Sequence, residues 1–191
     1  MRSQDTDRIC AESWNLAVYA FGTAEIFRRR AQRYRNLIRA LTAMGIIVPL
    51  LIGGIVLAFG LSASFLPWFV YFAAAVGVLQ LCLSGLAVSY GWTDTLEYSL
   101  ESLTDNLELS SRFEEIGKMA TAPPVDLASR FAIVKARDDA RRAADGKKSV
   151  TEKELRYGHR AGLRRFERKC QGCQNIPRSM ESTDCSICGG F

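Results

Sequence analysis

The sequence predicts an all-α membrane protein: a two-span transmembrane hairpin, long cytoplasmic helices and a small C-terminal four-cysteine zinc ribbon. Three observations predict this class. Ala40 to Thr93 contains no Asp, Glu, Lys, Arg or His, and it holds two nearly unbroken apolar runs, Leu41 to Ala63 and Phe65 to Tyr90. A hydrocarbon core about 30 Å thick takes ~20 apolar residues per helical crossing, and this stretch supplies two. The flanks are strongly charged and carry apolar residues at helical spacing. The segment 170–191 carries CxxC-x11-CxxC, formed by Cys170, Cys173, Cys185 and Cys188.

Charge divides the chain as sharply as hydropathy does. The net charge of +5 is the balance of a basic start (1–39, eight Lys/Arg against four Asp/Glu), an acidic middle (94–122, two against seven) and a basic end (123–191, fifteen against nine). Basic ends suit an anionic partner such as lipid headgroups, a nucleotide or nucleic acid. The natural segments are therefore 1–39, a cytoplasmic basic juxtamembrane helix; 40–93, the transmembrane hairpin; 94–122, an acidic cytoplasmic helix; 123–169, cytoplasmic helices with a basic stripe; and 170–191, a four-cysteine zinc ribbon. The polar start and late first apolar run predict no cleavable signal peptide, and the C-terminus predicts no lipid anchor.

Ser3 to Arg39 reads as one long helix or two abutting ones, with Trp14, Leu16, Ala17, Ala20, Phe21, Ala24, Ile26 and Phe27 at roughly helical spacing. Arg28, Arg29, Arg30, Arg33, Arg35 and Arg39 then stop directly before the first span. Arginines this close to a span set its orientation, so this end is expected in the cytoplasm. They also suit anionic headgroups. In the first span, Pro49 stands before Gly53 and Gly54, as either a pivot or a tolerated kink. The uncharged turn around Ser62 to Pro67, followed by Trp68, Phe69 and Tyr71, marks the far face of the membrane. The turn is too short to carry a domain, so both termini are expected in the cytoplasm.

The second span carries Ala73 and Gly77 as a small-xxx-small pair, with Ala74, Ser84, Gly85 and Ser89 as further sites of close helix approach. Gln80 is its most polar central residue. An amide in lipid needs a partner or water, so Gln80 is either interhelical glue or a pore-facing group, and it argues for oligomerisation. Beyond Trp92 an acidic helix carries Leu96, Leu100, Leu103, Leu107 and Phe113 as an apolar stripe, and its carboxylates are expected to meet the basic N-terminal helix. Pro123 and Pro124 close that helix and open the next, from about Val125 to Ala144. Ser149 or Thr151 caps a last helix running to about Lys169, and Thr151–Glu154 fits the capping box.

Two constellations carry chemistry. Arg156, Arg160, Arg164 and Arg168 recur every four residues, with Lys153, Arg165 and Lys169 beside them and Tyr157, His159 and Phe166 nearby. This stripe is either an anion or nucleic-acid site, with guanidinium forks for phosphates and aromatics for bases, or a face that meets water, headgroups or the acidic helix. The four cysteines can bring two thiolate pairs onto one tetrahedral ion, with Gly172 and Gly189 relieving the two knuckles. Four thiolates make a closed structural zinc site. Iron also takes four thiolates, and disulfides would need an oxidising compartment. Cys10 and Cys82 are isolated packing residues. No phosphate loop, HExxH or serine–histidine pair appears, so no catalytic residues, and no enzyme, are expected.

The basic juxtamembrane helix, compact hairpin and long cytoplasmic helix, over roughly residues 1–120, resemble the SLATT family of two-transmembrane effectors in bacterial nucleotide signalling. The Cys170, Cys173, Cys185 and Cys188 spacing resembles a group of small proteins carried on bacterial mobile elements. Together these resemblances imply an antiphage effector of Hailong-like systems in the bacterial inner membrane. Such an effector oligomerises (a tetramer is the working expectation), permeabilises the membrane, and answers a nucleotide or oligonucleotide signal from a nucleotidyltransferase encoded alongside. A tethered adaptor without a pore, docking nucleic acid or protein on the basic tail, is the alternative.

Overall fold

The computed structural model describes residues 2–59, 66–119 and 124–191. Regular structure among them is entirely helical: α1 (Arg2–Phe59), α2 (Leu66–Ser89), α3 (Trp92–Lys118), α4 (Pro124–Asp145) and α5 (Glu152–Arg165). The expected turn at Ser62 to Phe65, the end of the first span beyond Phe59, and Ala122-Pro123 lie outside the described residues. The chain forms two compact units, one of residues 1–29 with 99–191, the other of residues 30–98. Helix α1 contributes to both without a break, so the N-terminal helix and the first apolar run are one element, with Pro49 inside it.

In the unit of residues 30–98, α1 and α2 meet along a seam of period close to 3.5 residues. Tyr34, Ile38, Leu41, Gly45, Val48 and Ile52 are half-buried on α1, and Ala73, Val76, Gln80, Leu83 and Ala87 on α2. That spacing is the knobs-into-holes pattern of paired helices. Gly45 faces the Gln80 side chain so closely that an added Cβ would stand 2.5 Å from Nε2. The amide thus sits within the hairpin seam. Tyr34 and Trp92 close one end edge to face, with ring centroids 6.3 Å apart. The remaining faces are apolar and uncovered: Leu57 is 89% exposed, Trp68 78% and Leu81 75%. Both helices are long and apolar enough to cross a membrane, and none of their apolar windows is buried.

In the other unit, α1 packs with α3 and α4 around Cys10, Ala17, Ala20, Leu109, Phe113, Ile116, Leu127 and Val134. Trp14 Nε1 donates to the Gly117 carbonyl at 3.1 Å, and Ser110 Oγ to the Ala17 carbonyl at 2.9 Å. Two sequence expectations change here. The most buried face of α3 is Ser99, Ser102, Asn106, Leu109, Ser110, Phe113 and Ile116; of the expected stripe Phe113 lies on it, while Leu96, Leu100, Leu103 and Leu107 are half-buried. Small residues let the helices approach closely, and the partners that Ser102, Asn106 and Ser110 find offset the desolvation that burial costs them. The carboxylates of α3, expected to meet the basic N-terminal helix, find arginines of α4. Glu108 holds Arg137 bidentately at 3.0 and 2.9 Å, and Glu101 and Asp105 hold Arg141 at 2.8 and 2.9 Å. Facing α3, α1 offers Ala17 and its neighbours, whereas Arg137 and Arg141 lie one turn apart on α4.

Arg141 is the hub of a buried network. Its Nε and Nη2 donate to Asp145 Oδ1 at 3.1 and 3.0 Å. Asp145 also accepts from Ser102 Oγ and from Asn106 Nδ2, each at 2.9 Å. Asp138, 1% exposed, meets Arg142 Nε at 2.7 Å. Burial nevertheless pushes the Asp138 carboxyl above its ordinary 3.8. The folded chain then binds this proton more tightly than the unfolded chain. Stability is therefore expected to fall as pH rises from about 3.8 through the raised value. Asp138→Asn should flatten that part of a pH–stability curve, measured by denaturant midpoints.

Helix α5 begins on the expected capping box: Glu154 N–H donates to Thr151 Oγ1 at 3.3 Å, and Thr151 N–H to the Glu154 carboxylate at 3.0 Å. It ends at Arg165, short of Lys169, in a Schellman turn. Arg168 N–H reaches the Leu163 carbonyl at 2.9 Å, and Glu167 takes the left-handed position at φ 51°. Helix α5 lies against α1 through glycines. A Cβ on Gly158 would stand 2.5 Å from the Gly22 carbonyl oxygen, and one on Gly162 would collide with the Val18 carbonyl. Gly158→Val should therefore destabilise this unit by about 1–3 kcal/mol in denaturant unfolding, the range for overpacking a close contact. Gly53→Ala, where an added Cβ meets nothing within 4 Å of this chain, should show no such overpacking loss in the same measurement.

Candidate metal centre and basic surface

The tail after α5 has no helix and little apolar bulk, and two turns shape it. Gln174 N–H returns to the Cys170 carbonyl and Gly189 N–H to the Cys185 carbonyl, both at 2.8 Å, so each CxxC pair curls into a knuckle. Glycine is required at the second: a Cβ at Gly189 would overlap the Thr183 carbonyl. The knuckles face each other. Cys170 and Cys185 Sγ are 3.9 Å apart, Cys173 and Cys188 Sγ 3.8 Å, and all four sulfurs lie within 4.8 Å of one another. These separations are too long for disulfide bonds. Zinc–sulfur bonds of about 2.3 Å place tetrahedral sulfurs roughly 3.8 Å apart, so the four residues fit a four-thiolate metal ion.

Their protonation fits as well. Backbone N–H groups of Cys188 and Ile187 directed at the Cys185 sulfur hold that thiol down to about 6. Burial, with the neighbouring thiols, pushes Cys188 up to about 12. A bound cation would displace the remaining thiol protons, the usual behaviour of a coordinating thiol.

The centre is built into the fold. Cys170 and Cys188 are buried against Val18 of α1 and Leu163 of α5. Arg160, only 6% exposed, braces it from α5. Its Nε donates to the Ser179 carbonyl at 2.9 Å, and its Nη1 to the Cys188 carbonyl at 3.2 Å and to Thr183 Oγ1 at 3.3 Å. Sequence spacing grouped Arg160 with its neighbours on the stripe. Nothing in that spacing showed that one of four equivalent arginines would turn inward to bind tail carbonyls.

The other basic residues separate into different surroundings. Arg168 and Lys169 lie beyond the helix end, exposed, with the Arg168 guanidinium 5.6 Å from the Trp14 ring centre. Arg164 and Arg165 are exposed and, with Arg28, Glu25 and Tyr157, line a cavity of about 450 Å³. Arg28 pairs with Glu25 at 2.6 Å, and Arg29 lies 4.7 Å over the Tyr157 ring. Arg156 instead lines a separate cavity with His159. Arg30, Arg33, Arg35 and Arg39 belong to the hairpin unit. There Pro49 and Gly53 face outward, while Gly77, Gln80 and Ser84 are half-buried. Cys10 is a core residue whose thiol lies 3.8 Å from the Ile116 carbonyl, and Cys82 is exposed.

The fold and the centre together define a class: an all-helical protein with two helices apolar enough to cross a membrane, ending in a four-cysteine cluster that could bind a metal ion. The sequence profile of the mobilome CxxCx(11)CxxC proteins matches residues 10–191, and the chain belongs to that family. No curated protein and no solved structure matches it.

Proposed function

We propose that the protein is a homo-oligomeric transmembrane effector that forms an ion channel or pore in the bacterial inner membrane, gated by a nucleotide or single-stranded oligonucleotide in antiphage defence, as in SLATT-like and Hailong-like systems. The observation that carries this reading is the hairpin. Two helices of spanning length pair along one seam and leave their remaining apolar faces uncovered. Water would not tolerate so large an apolar surface, whereas lipid and further copies would. A single pair of spans encloses no aqueous path, so several copies are needed, with four as the working number. Pro49, Gly53, Gly77, Gln80 and Ser84 are the proposed pore or helix–helix positions.

Both termini then lie in the cytoplasm, with Arg28, Arg29, Arg30, Arg33, Arg35 and Arg39 as the orienting charges. In that reducing compartment the four cysteines remain thiolates, and zinc is their proposed structural ion. The anionic ligand is proposed to engage Arg156, Arg164, Arg165, Arg168 and Lys169, supported by the exposed position of four of them; Arg160, expected on the same stripe, is buried with its donors on the tail. No residue is assigned a catalytic role, and a nucleotidyltransferase encoded alongside is the proposed source of the signal. The meeting of Arg28, Arg164 and Arg165 in one cavity favours a second reading, a tethered adaptor that docks nucleic acid or protein without a pore.

Purified protein reconstituted in dye- and ion-loaded liposomes tests the choice. Leak that responds to added oligonucleotide is the expected result. Intact liposomes in every ligand state would leave only the adaptor.

A further inference from the structure

Val18, Gly22 and Ile26 of α1, Leu155, Arg156 and His159 of α5, and Gln171 and Ile187 of the two knuckles enclose a cavity of about 310 Å³. That is at the lower end of the range for small-molecule sites. Its walls are mostly apolar, from Val18, Ile26, Leu155 and Ile187, with Tyr19 and Thr23 beside them. Two polar atoms there, Arg156 Nε and His159 Nε2, are shielded from water and have no hydrogen-bond partner among the described residues. Shielded polar groups are almost always paired, and leaving one unpaired is costly. Both side chains line the one cavity, so a small turn of either lets its unpaired nitrogen meet an acceptor that enters from outside the chain.

The groups specify that acceptor. Arg156 is a permanent cation whose fork matches an oxyanion. Burial lowers the His159 pKa below its ordinary 6.5, so the ring is neutral at pH 7 and exchanges a hydrogen bond without adding charge. The Tyr19 ring lies 6.2 Å from the His159 ring, centre to centre, and gives an aromatic edge to the cavity.

We infer that this cavity is a binding site for a small amphiphilic anion: one phosphate or carboxylate on Arg156, with a ring or short apolar body of at most mononucleotide size against the α1 wall. The inference deepens the ligand-gating part of the function proposed above and rests on that reading only for what binding accomplishes. Binding itself is measured in detergent, apart from any leak, so failure of the pore and failure of the site are distinguishable.

The test uses the full chain in detergent micelles and isothermal titration with four probes: AMP, adenosine, benzoate and inorganic phosphate. AMP binding with adenosine at least tenfold weaker identifies a phosphorylated ring. Benzoate binding with AMP silent identifies a carboxylate. Either result supports the site if Arg156→Gln weakens the binding at least tenfold and His159→Phe weakens it several-fold, while Arg112→Gln, exposed on α3 and outside the cavity lining, leaves it unchanged. Far-UV circular dichroism and retained metal content confirm that each variant is folded; should Arg156→Gln not fold, Arg156→Lys, which keeps the charge and loses the fork, takes its place. No binding of any probe at millimolar concentration overturns the inference. So does equal affinity in the Arg156 variant, or inorganic phosphate binding as tightly as AMP and benzoate.

Discussion

Cys170→Ser is expected to abolish metal retention and free the tail from α1 and α5. The tail lacks the apolar bulk to fold alone. What holds it are the knuckle turns, the Arg160 brace and the contacts of Cys170 and Cys188 with Val18 and Leu163. In small zinc domains apparent metal-binding free energies are about 10–16 kcal/mol, larger than the whole stability of many domains. Loss of one ligand leaves three thiols and an open position that water can enter. Elemental analysis should find about one zinc per wild-type chain and almost none in the variant. Limited proteolysis should cut the variant between Lys169 and Arg178, sites the wild type protects. A colourless protein identifies zinc, and visible charge-transfer bands would identify iron instead. A variant that keeps its metal and its protection would remove the four-thiolate centre from this account.

Arg141→Met carries the second large effect. The guanidinium ties Asp145 of its own helix to Glu101 and Asp105 of α3, and Asp145 in turn holds Ser102 and Asn106. Removing the arginine takes from Asp145, 7% exposed, the guanidinium that donates to it twice. Breaking one side of a buried ion pair costs about 3–5 kcal/mol. Denaturant unfolding should show a loss of that size. Adding Asp145→Leu should recover part of it, because an apolar pair no longer strands a charge. A loss below about 1 kcal/mol in the single variant would place the network among exposed ion pairs, which contribute little.

Much of this was legible in the chain. Glycine-rich apolar runs without charge, a Thr151–Glu154 capping box and two CxxC pairs are local patterns, and each is found in the corresponding helix, cap or cluster. What the sequence concealed depends on partners distant along the chain. Arg160 and Arg164 stand in equivalent positions of one periodicity, yet one binds tail carbonyls and the other faces solvent. The serines of α3 stand outside the expected apolar stripe, yet Ser102 is buried on Asp145, some forty residues away, and Ser110 on the Ala17 carbonyl. Gly158 and Gly162 carried no reading in the sequence, and their reason is the backbone of α1 at Val18 and Gly22. In each case the deciding term is pairing or clearance between segments, which no local pattern encodes.

The polar burial at the Ser102–Asp145 end of the α3–α4 contact has a thermal consequence. Heat-capacity change on opening a contact follows the apolar area it wets, at about 0.45 cal/K/mol per Å², and polar area offsets it. Parting helices there would wet hydroxyls, an amide and charges rather than hydrocarbon. That end should open with almost no heat-capacity change, insensitive to cold, while the leucine- and phenylalanine-lined region around Phe113 keeps the ordinary curvature. Calorimetry of the protein should therefore divide one contact into a part governed by ionisation and a part governed by water.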